Sequence, residues 1–113
     1  MTYKIKFYPE AEEDYEKFNN FQKDQIDKAI LKVSKNPLPQ NEGGYGKPLG
    51  NKHSRNLTGL CKIKLKKLGI RIVYELVKTE NTMEIIVVAA RCDDEVYNLA
   101  AKRAKVGAGN YEN

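Results

Sequence analysis

Residues Lys4 to Tyr8 alternate polar and apolar side chains and stop at Pro9, the signature of a short strand ended by a residue that cannot donate to a ladder. From Glu10 the spacing turns helical. Ala11, Tyr15 and Phe18 recur at i, i+4 and i+7 with Glu12, Glu13, Asp14 and Glu16 between them, acids that a helix N-terminus favours. Asn19-Asn20 breaks and re-caps the chain, and Ile26, Ala29, Ile30 and Val33 then form one stripe of a second helix that ends before Asn36-Pro37. Further on, strands are predicted at about 57–65, 70–78 and 83–91, separated by short turns, and a last helix at about 95–105 with Val96, Leu99 and Ala100 as its apolar side and Asp93 or Asp94 as its cap. Between the second helix and these strands, Pro37, Pro39, Gly43, Gly44, Gly46, Pro48 and Gly50 predict a long loop without regular structure.

The order β-α-α-β-β-β-α predicts a compact α+β domain. Its sheet would be four-stranded and mostly antiparallel, with an N-terminal helical hairpin and a C-terminal helix. At 113 residues the chain is long enough to bury one core, taken here as 1–106, with 107–113 as a flexible C-terminal tail. No apolar run is long enough to cross a bilayer and Met1 to Phe7 has no secretory pattern, so a cytoplasmic location is expected. Cys61 and Cys92 are far apart and unaccompanied by histidines, so no metal site and no cofactor are expected, and both are read as small, reduced core residues.

Charge changes the picture. Between Glu42 and Glu75 there is no acid, while Lys47, Lys52, Arg55, Lys62, Lys64, Lys66, Lys67 and Arg71 all fall there, with His53, the only histidine. The chain's net charge is +5, so the other residues, 12 basic and 15 acidic, are net negative and the excess belongs to one segment. That asymmetry points to a polyanion. Alternation puts Lys62 and Lys64 on one face and Ile63 and Leu65 on the other. A symmetric turn over 66–69 would pair Leu65 with Ile70 and set Lys64 opposite Arg71, a like-charge pair that costs stability. No carboxylate of the segment relieves it, and Glu75 is the nearest candidate partner.

The run Cys61-Lys62-Ile63-Lys64-Leu65, the strand Gly69-Ile70-Arg71-Ile72-Val73-Tyr74, the spacing Arg91-x5-Tyr97 and the entry Lys47-Pro48-Leu49 resemble the RelE/ParE toxin superfamily, closest to its RelE branch. The element order matches over nearly the whole chain. The resemblance implies the toxin of a type II toxin-antitoxin system, a ribosome-dependent endoribonuclease that cuts mRNA in the decoding site. It carries catalysis onto Lys62, Lys64, Arg71, Arg91 and Tyr97. Lys47, Lys52, His53, Arg55, Lys66 and Lys67 would contact RNA or ribosome. An acidic, partly helical antitoxin is implied, covering or displacing the last helix through Val96, Leu99 and Ala100, with the toxin a monomer when free.

Such chemistry suits these residues. An RNA 2′-hydroxyl can attack its own phosphorus, leaving a 2′,3′-cyclic phosphate, and fixed cations stabilise the charge that builds on the phosphate oxygens. Lys62 or Lys64 could also accept the 2′-hydroxyl proton, and Tyr97 could stack on a base or orient the nucleotide. Two alternatives remain open on sequence alone: a non-enzymatic ParE-type inhibitor of DNA gyrase, and an RNA-binding module without cleavage.

Overall fold

The computed structural model describes the backbone of residues 2–52 and 55–112, and side chains outside 50–58 and 105–113. Among the described residues five strands form one sheet in the order β1-β5-β4-β3-β2, with β1 spanning Lys4–Phe7, β2 Lys47–Lys52, β3 Arg55–Leu65, β4 Ile70–Val77 and β5 Thr82–Ala89. The α-helices among them are α1, Pro9–Glu16, α2, Asn20–Ser34, and α3, Asp93–Glu112. β1 runs parallel to β5, and every other neighbouring pair is antiparallel. The fold is therefore the expected α+β domain with one strand more than predicted.

The extra strand is β2, inside the segment whose glycines and prolines argued for an irregular loop. Its register explains how they are tolerated. β2 lies at the sheet edge, where Pro48 loses no ladder bond the sheet needs, and the pairing slips between Pro48 and Gly50. That irregularity seats Leu49 in the core, 2% exposed. Gly46 just before it is required by close approach, because a Cβ there would stand 2.2 Å from the Tyr74 hydroxyl. Tyr74 cannot yield, being fully buried with its hydroxyl donating to the Pro37 carbonyl at 2.8 Å. Gly46→Ala is expected to lower stability by about 2 kcal/mol, the usual cost of forcing extra volume into a packed site, measured by urea unfolding.

Local sequence accounts for the helices. Pro9 opens α1 at its first turn, where a missing amide is harmless. Asn19 and Gln22 cap α2 reciprocally, each side chain accepting the other's amide at 2.8 and 2.9 Å. α3 continues helical to Glu112, past the end expected near Lys105 and through most of the segment read as a tail. Leu99, Ala100, Ala101, Lys102, Arg103 and Ala104 favour the helix up to the expected end, and no proline follows Pro48 to stop it, whereas Gly107 and Gly109 are the residues that argue for a tail.

Helices cover both faces of the sheet. On one face Ala11, Ile26, Ile30 and Val33 pack against Ile70, Ile72, Tyr74, Met83, Ile85 and Val88. On the other, Val96, Tyr97 and Ala100 of α3 pack against Leu49, Leu60, Val73, Ile86, Val87 and Ala89. A register shift opposite Val73 and Tyr74 lets Ile86 and Val87 both face α3, so β5 is buried along almost its whole length. The lysine face of the hairpin is thus bounded by α3 and is not an open solvent face.

Candidate phosphate-binding site

Leu65 pairs with Ile70 and Lys64 with Arg71, as the symmetric turn required, and Gly69 closes that turn at φ +67°, where a Cβ would be strained. One step back, Lys62 pairs with Val73, and across the other ladder Lys47 pairs with Lys62. Directly paired residues point to the same side, so Lys47, Lys62, Lys64 and Arg71 share the α3 face. Four cations from three consecutive strands converge there. Lys66 and Lys67 are exposed in the turn that follows. Lys52, His53 and Arg55, expected to contact RNA, lie outside the described residues as regards their side chains, His53 entirely so.

The like-charge pair is not left without a carboxylate. Asp93, at the start of α3, accepts a very short hydrogen bond from Arg71 Nε and lies 3.4 Å from Lys64 Nζ. This corrects the expectation that no acid relieves the pair; Asp93, expected as a possible helix cap, is the first residue of α3 and reaches across to the hairpin. The partner comes from a distant element, and only the β4–β5 ladder brings it near: Arg71 pairs with Ala89, a few residues before Asp93. Partial burial alone would raise the Asp93 carboxyl, but the Arg71 hydrogen bond and charge, then Lys64, outweigh it and hold it below the usual carboxylate range. Arg71 is fixed a second time, Nη1 donating to the Arg91 carbonyl at 2.6 Å. Arg91 itself is exposed at the same corner.

Tyr97 departs from its expected use. It is 3% exposed, and its hydroxyl accepts from Lys62 Nζ at 2.8 Å while the ammonium sits 5.4 Å from the ring centroid. A ring so covered is no stacking platform for a base while α3 holds this position, and its contact is with Lys62. Val96 and Ala100, expected to meet a partner, are fully buried against the sheet, and Leu99 packs partly against the same cluster. The apolar stripe that marked them faces inward.

The remaining chemistry lies elsewhere. Cys61 is buried beside Tyr74, and burial pushes its thiol up, whereas Cys92 is exposed, contrary to the core reading given to both. A concavity between α1 and α2, lined by Phe7, Pro9, Glu12, Glu13, Tyr15, Glu16 and Asp27, carries carboxylates, the wrong sign for a polyanion. Among the described residues no group of three His, Cys, Asp or Glu could hold a metal ion, and no helix is long and apolar enough to cross a membrane.

Sequence patterning missed a further constellation. Asp14 of α1 and Arg103 of α3 form an ion pair at 2.8 Å, each side chain about 15% exposed. Asp14 also accepts the Val88 amide at 3.1 Å, and Arg103 donates to the Ile86 carbonyl at 2.7 Å.

No family model matches the chain. It is 28% identical over 103 residues to the mRNA interferase toxin RelE of Escherichia coli strain K12, covering 91% of this chain and 98% of that one. Among solved structures it is similar to a doubly arginine-substituted E. coli toxin RelE in the free state, with a TM-score of 0.71, 27% identity and coverage of 91% and 98% of the two chains. The same variant in complex with a peptide of the antitoxin RelB matches with a TM-score of 0.65 at 27% identity over the same shares.

Proposed function

We propose that this chain, which resembles the RelE-type toxins in both sequence and fold, is the toxin of a type II toxin-antitoxin pair and cuts mRNA on the ribosome. The observation that carries this reading is the convergence of Lys47, Lys62, Lys64 and Arg71 on one face, with Arg91 at its corner. The RNA supplies its own nucleophile. Its 2′-hydroxyl oxygen loses its proton and forms a bond to the adjacent phosphorus as the bond to the 5′-oxygen breaks, and the 5′-oxygen takes up a proton from solvent, leaving a 2′,3′-cyclic phosphate and a free 5′-hydroxyl. Negative charge builds on the non-bridging oxygens. In this reading Lys64 and Arg71, held across one ladder, meet it with fixed positive charge, and the exposed Arg91 adds to them. Lys62, held by the Tyr97 hydroxyl and ring, is the residue this reading assigns to take the attacking proton. Tyr97 is thus a positioning residue for Lys62. Arrangement of the message is left to the ribosome, since this face lacks a histidine pair to orient and cleave free RNA.

The named partner of the similar toxin, an antitoxin RelB peptide, supports an antitoxin here, and the surplus of lysine and arginine on the hairpin is the reason to expect an acidic one. Contact with Val96, Leu99 and Ala100 requires that it displace α3, because those side chains face the sheet. Primer extension on a defined message in programmed ribosomes tests the main reading. Wild-type protein is expected to give cuts in phase with the reading frame, and the Lys62→Ala, Lys64→Ala, Arg71→Ala combination none. Intact messages with stalled DNA replication would instead establish gyrase poisoning.

A further inference from the structure

The free protein already holds an anion between its cations. One oxygen of the Asp93 carboxylate is bonded by Arg71 Nε and the other lies 3.4 Å from Lys64 Nζ. A phosphodiester likewise presents two negative oxygens on one central atom. The geometry points to Asp93 as an internal occupant of the phosphate seat, a carboxylate that the incoming phosphodiester must displace and that thereby sets this protein's affinity for RNA. The inference rests on the reading of the hairpin cations as a phosphate site.

Three observations carry it. Lys64 and Arg71 face one another directly in the ladder, an arrangement that is repulsive unless an anion sits between them. Asp93 supplies that anion and is also the most accessible member of the trio, its side chain 38% exposed against 26% for Lys64 and 24% for Arg71. A side-chain rotation at the first residue of α3 therefore takes it into solvent without unpacking the core. Arg71 keeps its second anchor, the Arg91 carbonyl, when Asp93 leaves, so the seat survives the exchange. The consequence is a trade: the carboxylate stabilises the empty site and competes with substrate for it.

Two measurements test this. In the wild-type protein, inorganic phosphate titrated at constant ionic strength is expected to shift the NMR signals of the Arg71 Nε–H and the Asp93 carboxyl carbon with a common midpoint; an Arg71 shift with Asp93 unmoved overturns the proposal. In Asp93→Asn, which keeps the shape and removes the charge, melting in chloride is expected to be lower than wild type. Phosphate should bind it about tenfold tighter, the scale of one charge-assisted contact no longer opposed. Equal or weaker phosphate binding by folded Asp93→Asn would show that Asp93 only positions Arg71, and so sinks the idea. Asp93→Ser serves if the asparagine variant does not fold. Cleavage is read separately: absence of mRNA cutting by wild type defeats the proposed function and leaves the phosphate result standing, whereas cutting without exchange at Asp93 defeats this inference alone.

Discussion

Arg71→Ala is expected to lower mRNA cleavage in programmed ribosomes by about 10²- to 10³-fold, the scale on which removal of one preorganised donor acts on a developing oxyanion. The loss should fall on the rate of the chemical step, because the guanidinium is fixed before substrate arrives. Its Nε is held by Asp93 and its Nη1 by the Arg91 carbonyl, two bonds in different directions from one planar group. Arg71→Lys should fail to rescue, since an ammonium is a single charged point and cannot keep the Arg91 carbonyl while presenting a second, differently directed donor to the phosphate. Thermal unfolding of both variants should fall only slightly, since Lys64 keeps its pairing with Asp93 and loses the like charge opposite it. Single-turnover cleavage separates the outcomes. Near-normal rates in Arg71→Lys would mean that charge alone is used, and near-normal rates in Arg71→Ala would remove this residue from the reaction.

The largest effect on stability is expected from Asp14→Ala, about 3 kcal/mol, comparable to breaking a poorly solvated ion pair while leaving its partner behind. The size follows from what the pair covers. β1 accompanies β5 only from Thr82 to Ile85, and the next backbone groups on that edge have no strand beside them. Asp14 accepts the Val88 amide and Arg103 donates to the Ile86 carbonyl, so two side chains stand in for the missing strand. Loss of Asp14 strands both the amide and the guanidinium. For a domain of this size the melting temperature should fall by roughly 10 °C or more. A double-mutant cycle with Arg103→Ala should show strong coupling; additive effects would mean that the two side chains act independently of one another.

The fold was legible wherever one local rule operated. Period-3.6 spacing found α1 and α2, Asn19 marked the start of α2, and a symmetric turn over 66–69 predicted the hairpin register that pairs Lys64 with Arg71. β2 escaped because glycine and proline argue against a strand in general, whereas an edge strand with an irregular register tolerates both. Within the site, the cations were visible because charge asymmetry is a property of the sequence itself. Asp93 and the Asp14–Arg103 pair were not, since each joins residues from separate elements and no spacing rule connects them. A weak hint existed for Asp93: it lies two residues beyond Arg91, at the end of the strand that borders Arg71. The inward aim of Tyr97, Val96 and Ala100 depended on both sheet faces being covered, a condition with which the unbroken apolar run from Ile85 to Ala89 in β5 agrees.

The parallel pairing of β1 with β5 bears on how the molecule comes into being. Lys4 meets Thr82 and Phe7 meets Ile85, so the beginning of the chain waits for its neighbour until most of the polypeptide has been made. Closing so long a loop costs entropy before any contact repays it, which places this ladder late and makes the domain slow to assemble relative to its hairpin. Fragments ending before Thr82 lack β5, the strand against which α1 packs, and they should behave as collapsed, unfolded chains. A truncated translation product would therefore carry the lysine hairpin without a scaffold to aim it.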